Sequence, residues 1–197
     1  MISFPENIIL EDERALLRPL QEDDLEHLLP FALNETEIWS YSLTIPAGKE
    51  GMKEYIDTTV AEREAKKEYP FIIFDKTNNS YAGSSRFYDI QLNNLTTQLG
   101  FTWYGKKFQR SGLNRHCKLL MLCYAFEIWG MERVEFRANV KNGRSIEAMK
   151  AIGCTVEGIL RSCAVDIGGR RDSIVLSILK NEWLNGVKEN LLKKIYE

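Results

Sequence analysis

The stretch from Thr97 to Phe126, TQLGFTWYGKKFQRSGLNRHCKLLMLCYAF, constrains this chain more than any other, because it reads as a strand, a glycine-bearing loop and an amphipathic helix in unbroken succession. Leu99, Phe101 and Trp103 fall on one face of an extended segment and Thr102 and Tyr104 on the other, and apolar residues on both faces suit a strand inside a sheet. From Leu113 onward Cys117, Leu120, Met121, Tyr124 and Ile128 recur at three-to-four spacing, which predicts a helix with one buried face. Gly112 falls where the loop becomes that helix. A helix start leaves amides without partners and carries partial positive charge, so a phosphate placed there gains hydrogen bonds and a favourable dipole. Each charge-assisted bond is worth about 1.5 to 3 kcal/mol, and Lys106, Lys107, Arg110 and Arg115 add positive field around the loop. The plainer reading makes Gly112 only a tight strand-to-helix turn, and these residues alone leave both open.

The segment Gln109, Arg110, Ser111, Gly112, Leu113, Asn114 is similar to the Q/R-x-x-G-x-G/A loop with which GNAT-superfamily acyltransferases cradle the pyrophosphate of coenzyme A. Asn114 departs from the pattern, which has a second small residue there. Further matches follow in order: Arg133, Val134 and Glu135; Asn142 to Ser145; Gly153; Glu157, Gly158, Leu160 and Arg161; Arg171, Asp172, Ser177, Ile178, Glu182 and Trp183. With LLRPLQEDD near the start, the series resembles the RimJ/RimL-like branch, the ribosomal-protein-alanine N-acetyltransferase type, over most of the chain.

The resemblance implies an α/β fold: a central, mostly antiparallel mixed sheet with one parallel, splayed pair, flanked by helices. It implies acetyl-CoA as co-substrate, no metal, and direct transfer of the acetyl group to a primary amine on a protein N-terminus, a peptide or a small molecule. It places the backbone of Phe101, Thr102 and Trp103 against the thioester, where amides aimed at an oxyanion are a large catalytic term. Gln109, Arg110, Ser111, Gly112, Leu113 and Asn114 would hold the diphosphate, with Asn142 and Ser145 on the pantetheine or phosphate portion.

Two departures bear on the chemistry. Relatives often carry a tyrosine, as acid for the leaving thiolate, where this chain has Met149, four residues before the pair Gly153 and Cys154. In RimL-like enzymes a serine of N-x-x-S takes that role, which points to Ser145; the alternative is that Ser145 caps its helix. Many relatives also carry glutamate just before the central-strand glycine, but here the residue two before Gly100 is Gln98, an amide that accepts no proton at neutral pH. Asp89 is the replacement base, or else a turn former. An α-amine of pKa about 7.8 is roughly a tenth neutral at pH 7, whereas a lysine near 10.4 is neutral about four times in ten thousand. A weak base therefore favours an α-amine acceptor. The competing function is an acyl-CoA-binding sensor or scaffold without turnover, suggested by Gln98 and Met149 themselves.

At 197 residues, 44% hydrophobic and 27% charged, the chain is expected to form one acetyltransferase domain spanning 1–197. A net charge of −2 argues against nucleic acid as a partner. The N-terminus shows no basic-then-apolar leader and no run approaches the about 18 apolar residues a span requires, so a cytoplasmic location and no membrane partner are expected; a homodimer stays open. Cys117, Cys123, Cys154 and Cys163 show no C-x-x-C pair and His27 and His116 are the only imidazoles, which argues against zinc and for a reducing compartment.

The rest of the chain reads as a strand over 15–20, a helix through Leu25, Leu28 and Leu29 ended or kinked at Pro30, and an aromatic loop over 34–49. Trp39 and Tyr41 in that loop are the candidate acceptor-side wall. A charged helix over 49–68, a hairpin of strands 71–74 and 81–90, a strand over 133–139 and a short helix over 145–152 follow. Strands 155–166 and 171–179 flank an IGGR turn, and 181–196 forms a terminal helix.

Overall fold

The computed structural model describes residues 3–166 and 168–196. In chain order the strands are β1 Leu10–Glu11, β2 Ala15–Pro19, β3 Tyr69–Asp75, β4 Ser80–Gln91, β5 Thr96–Tyr104, β6 Arg133–Asn139, β7 Thr155–Asp166 and β8 Gly169–Leu179. The helices are α1 Leu25–Asn34, α2 Gly48–Glu64, α3 Leu113–Cys123, α4 Gly143–Ala151, α5 Lys180–Glu182 and α6 Lys188–Tyr196. The eight strands form one sheet in the order β1-β2-β3-β4-β5-β6-β8-β7. Every adjacent pair is antiparallel except β5 and β6, which run parallel. The α3 crossover between them makes that direction feasible, since parallel neighbours need a long return.

Sequence pattern follows position in the sheet. Central β3, YPFIIFD, buries nearly every residue because helices cover both of its faces, while β6 buries Val134, Phe136 and Ala138 and turns Arg133, Glu135 and Arg137 outward into ion pairs. Close approach of β4 to β5 depends on Gly83, where an added Cβ would stand 2.0 Å from the carbonyl oxygen of Trp103.

Most predicted elements are present with shifted ends, and four differences have physical causes. Helix α1 runs through Pro30 to Asn34, because a proline forfeits one hydrogen bond yet the buried Leu28, Phe31 and Ala32 hold the following turn in place. The loop over 34–49 contains a short 3-10 turn, Thr36–Trp39. A two-residue strand, β1, was too short to carry a period. The stripe expected on α3 ends early: a π-turn at Tyr124–Ile128 changes the phase of the helix, so Ala125 and Phe126 are buried and Ile128 is 72% exposed. The predicted IGGR turn includes Ile167, outside the described residues.

The C-terminal segment packs back on α3. Trp183 is buried and stacks on Phe126 with ring centroids 5.6 Å apart, and Arg115 donates to the carbonyl of Lys194. All four cysteines are free, and among the described residues no helix is long and apolar enough to cross a membrane.

Candidate active site

The sheet opens at its parallel seam. β5 and β6 are in register only from Thr96–Arg133 to Gln98–Glu135, after which β6 stays with β8 as far as Asn139 while β5 leaves. The cause is a bulge in β5. Arg86 faces Gly100 and Ser84 faces Trp103, so Phe101 and Thr102 together oppose the single residue Ser85. Phe101 takes φ +48°, a left-handed conformation that costs a non-glycine residue about 1 to 2 kcal/mol. Its ring is held between Tyr88, edge-on at 5.0 Å, and the Arg86 guanidinium, 4.0 Å above the ring centre. The strands part around a cleft of about 920 Å³ walled by β5, β6, the start of α3 and α4.

At one end of the cleft lies the loop before α3. Arg110 and Gly112 both have positive φ, +60° and +88°, and a Cβ on Gly112 would meet nothing within 4 Å, so the backbone there is open. Among the described residues, the amides of Arg110, Ser111, Gly112 and Asn114 have no acceptor, while those of Gln109 and Leu113 bond the Lys106 carbonyl and the Ser111 hydroxyl. Uncapped amides at a helix start facing a groove fit a diphosphate. The side chains divide their work. Gln109 bridges the Tyr104 carbonyl and Arg144, fixing the loop to β5 and α4. Of the expected cations, Arg110 and Arg115 line the cleft, Arg115 also donating to the Lys194 carbonyl near the end of α6, but Lys106 pairs with Glu37 and Lys107 lies over the Phe108 ring. The positive field is thus narrower than the sequence suggested, with Arg144 added.

The remaining expected residues sort clearly. Asn142, not Ser145, caps α4: its side-chain oxygen accepts from the Ser145 amide at 3.1 Å, and both residues line the cleft with Met149. Asp89, at φ +47°, and Gln98 meet on the cleft wall, the amide donating to the carboxylate at 2.7 Å. Phe101, Thr102 and Trp103 line the cleft as well. Tyr41 lines it too, but the expected companion Trp39 is 1% exposed and packs edge-on against Trp103 at 5.0 Å. It supports the wall from behind, because an indole in a short loop gains more from burial than from facing a wet cleft.

Sequence reasoning missed Lys118. It lies on α3 with its side chain buried, lines the cleft, and donates to the Thr102 hydroxyl at 2.8 Å, which is itself 2.7 Å from Ser85 Oγ. Burial lowers its ammonium to about 7. The signal was spacing: Lys118 precedes the buried Leu122 and Ala125 by four and seven residues, so it had to fall on the inward stripe.

Comparison with known proteins agrees with this fold. YdaF of Bacillus subtilis (strain 168), provisionally named a ribosomal N-acetyltransferase, is 28% identical over 106 residues, 54% of this chain and 57% of that protein. "Probable N-acetyltransferase YjcK" of the same organism is 25% identical over 175 residues, 87% of this chain and 97% of that one. A crystal structure of a provisionally named acetyltransferase from T. thermophilus superposes with a TM-score of 0.86 at 29% identity, covering 100% of both chains. The family described as "Acetyltransferase (GNAT) domain" matches residues 14–155. The family match spans more than half of the chain, and the chain therefore belongs to the GNAT acetyltransferase family, as an acetyl-CoA-dependent acyltransferase.

Proposed function

We propose that the enzyme acetylates a primary amine by direct attack on acetyl-CoA, with an α-amine of a protein N-terminus, peptide or small molecule preferred over a lysine side chain. The observation that carries the reading is the pairing of Asp89 with Gln98 on the cleft wall, which puts a carboxylate beside the position where relatives often carry their base. In this reading the diphosphate lies on the free amides of 110–114, Asn142 and Ser145 meet the pantetheine arm, and the bulge at Phe101 to Trp103 presents backbone donors to the thioester oxygen. Asp89 takes the proton the nitrogen loses, directly or through water. Ser145 is the hydroxyl assigned to the departing sulfur, and Tyr41 borders the acceptor. The donor set at the helix start is amides and guanidinium groups, suited to an anion without metal.

We read the whole chain as one domain, since a single sheet links β1 to β8, acting in the cytoplasm, a location the four free thiols suit.

The test is thiol release from acetyl-CoA with matched peptides, one with a free α-amine and a blocked lysine, the other the reverse. Faster turnover of the free α-amine is expected. Equal rates remove the preference, and no turnover with any amine removes the proposed acceptor class.

A further inference from the structure

We propose that Lys118 is the proton donor to the departing coenzyme A thiolate, supplied from a buried hydroxyl-lined niche behind the β5 bulge. The inference rests on the amine-transfer reading above, though the donor step is the same for any acceptor.

The geometry places two proton-handling groups on either side of the reacting position. Along β5, Gln98 carries Asp89 and Thr102, four residues on, carries Lys118; the Phe101 bulge lies between. Asp89 stands where the parallel seam ends. Lys118 stands on the helix that starts at the phosphate loop, about 9 Å along its axis from Gly112 at 1.5 Å per residue. The thioester arm must run from that loop toward the bulge, so sulfur approaches from the side of Lys118 and nitrogen from the other.

The surroundings of Lys118 are unusual for a lysine. Its side chain is buried, and among the described residues no carboxylate pairs with it; its contacts are Thr102 Oγ1 at 2.8 Å and Ser85 Oγ at 3.4 Å. The titratable groups acting on it are Cys117 on its own helix and Cys154 after α4, thiols that burial itself pushes up to about 12. Uncompensated burial is what brings its ammonium down to about 7. A thiolate whose conjugate acid is near 8.5, as for an ordinary alkyl thiol, takes a proton from such an ammonium downhill. The Met149 side chain on the facing helix offers none.

The step balances. The amine nitrogen forms its bond to the acyl carbon, the carbon–sulfur bond breaks with the electron pair on sulfur, and sulfur takes one proton from Lys118. The nitrogen's surplus proton leaves toward Asp89, and neutral Lys118 is reprotonated from water before the next turnover. Ser145 can hydrogen-bond the sulfur, but a hydroxyl is no net proton source at pH 7.

Lys118→Met and Lys118→Arg, measured beside the wild type, test this. Methionine conserves volume; arginine keeps charge and a donor for Thr102 but releases no proton. Expected are a fall in kcat of about 10²-fold in both, unchanged KM for acetyl-CoA, and loss of the limb in the wild-type kcat profile that declines as pH rises through about 7. Ser145→Ala should retain that limb. Recovery of kcat in Lys118→Arg makes Lys118 only a support for Thr102 and overturns the proposal, as does Lys118→Met at the wild-type rate with the limb intact. Should neither variant fold, carbon-13 NMR of lysine Cε in the wild type decides: one lysine titrating near 7 is expected, and all lysines titrating above 9 overturns it. An active wild type with fully active variants sinks this inference alone; a wild type that binds acetyl-CoA and acetylates no amine sinks the transfer reading with it.

Discussion

The side-chain amide of Gln98 donates to Asp89 Oδ2 at 2.7 Å, while its own carbonyl oxygen is buried without a partner. The amide therefore holds the carboxylate rather than replacing it. Asp89→Asn should lower kcat by about 10²-fold with little change in KM for acetyl-CoA. A rate within twofold of wild type would return Asp89 to a turn-forming role. In Gln98→Glu two carboxylates share the site and the pKa of the pair rises above its unfolded value. Its stability should match wild type at pH 4 and fall below it as pH increases to 8; melts displaced equally at both pH values contradict this.

Gly112 has φ +88° on an open backbone. Gly112→Val should weaken coenzyme A binding at least tenfold, the loss of one charge-assisted bond worth about 1.5 to 3 kcal/mol. Ligand at about 100 times its Kd stabilises by roughly 2.7 kcal/mol and at about 10 times by roughly 1.4 kcal/mol, so the ligand-induced rise in Tm measured for wild type should fall to about half or less at the same concentration. A full rise in the variant would count against the cradle.

Trp39 and Tyr41 stand two residues apart, one buried and one on the cleft. Trp39→Ala should cost about 3 to 5 kcal/mol in stability. Tyr41→Ala should change stability by no more than about 0.5 kcal/mol and raise KM for the acceptor severalfold. Urea melts and acceptor titrations separate the two, and the reverse assignment would refute the wall described for the site.

Lys118 also leaves a mark on stability. Its folded pKa of about 7 lies below its unfolded value near 10.5, so between those limits the unfolded chain binds more protons and wild-type stability gains with rising pH. Lys118→Met removes the charge that must be buried below pH 7, so it should be more stable than wild type at pH 6, with the advantage shrinking toward pH 10. Parallel stability curves for the two proteins would show that the amine is not desolvated.

The loop that starts α3 was legible because its determinants are local. Alternation along β5, the glycine and the helical period after Leu113 lie in one contiguous stretch, and the folded chain keeps them together. Ser145 and Asn142 could be singled out for the same reason, but which of them caps α4 depends on one backbone angle at the helix start, which residue type alone does not settle.

What the chain's order of residues determined by itself was most of the elements, the family and the tight turn that starts α3, since these rest on periods and motifs a few residues long. Tertiary structure alone decided that Trp39 is packed away, that Lys106 is engaged elsewhere, and that Asp89 meets Gln98 across two strands. It also decided that Lys118 stands against Thr102. Each of those outcomes depends on which strands pair and where β5 bulges, and burial or charge at a site is set by neighbours from distant parts of the chain.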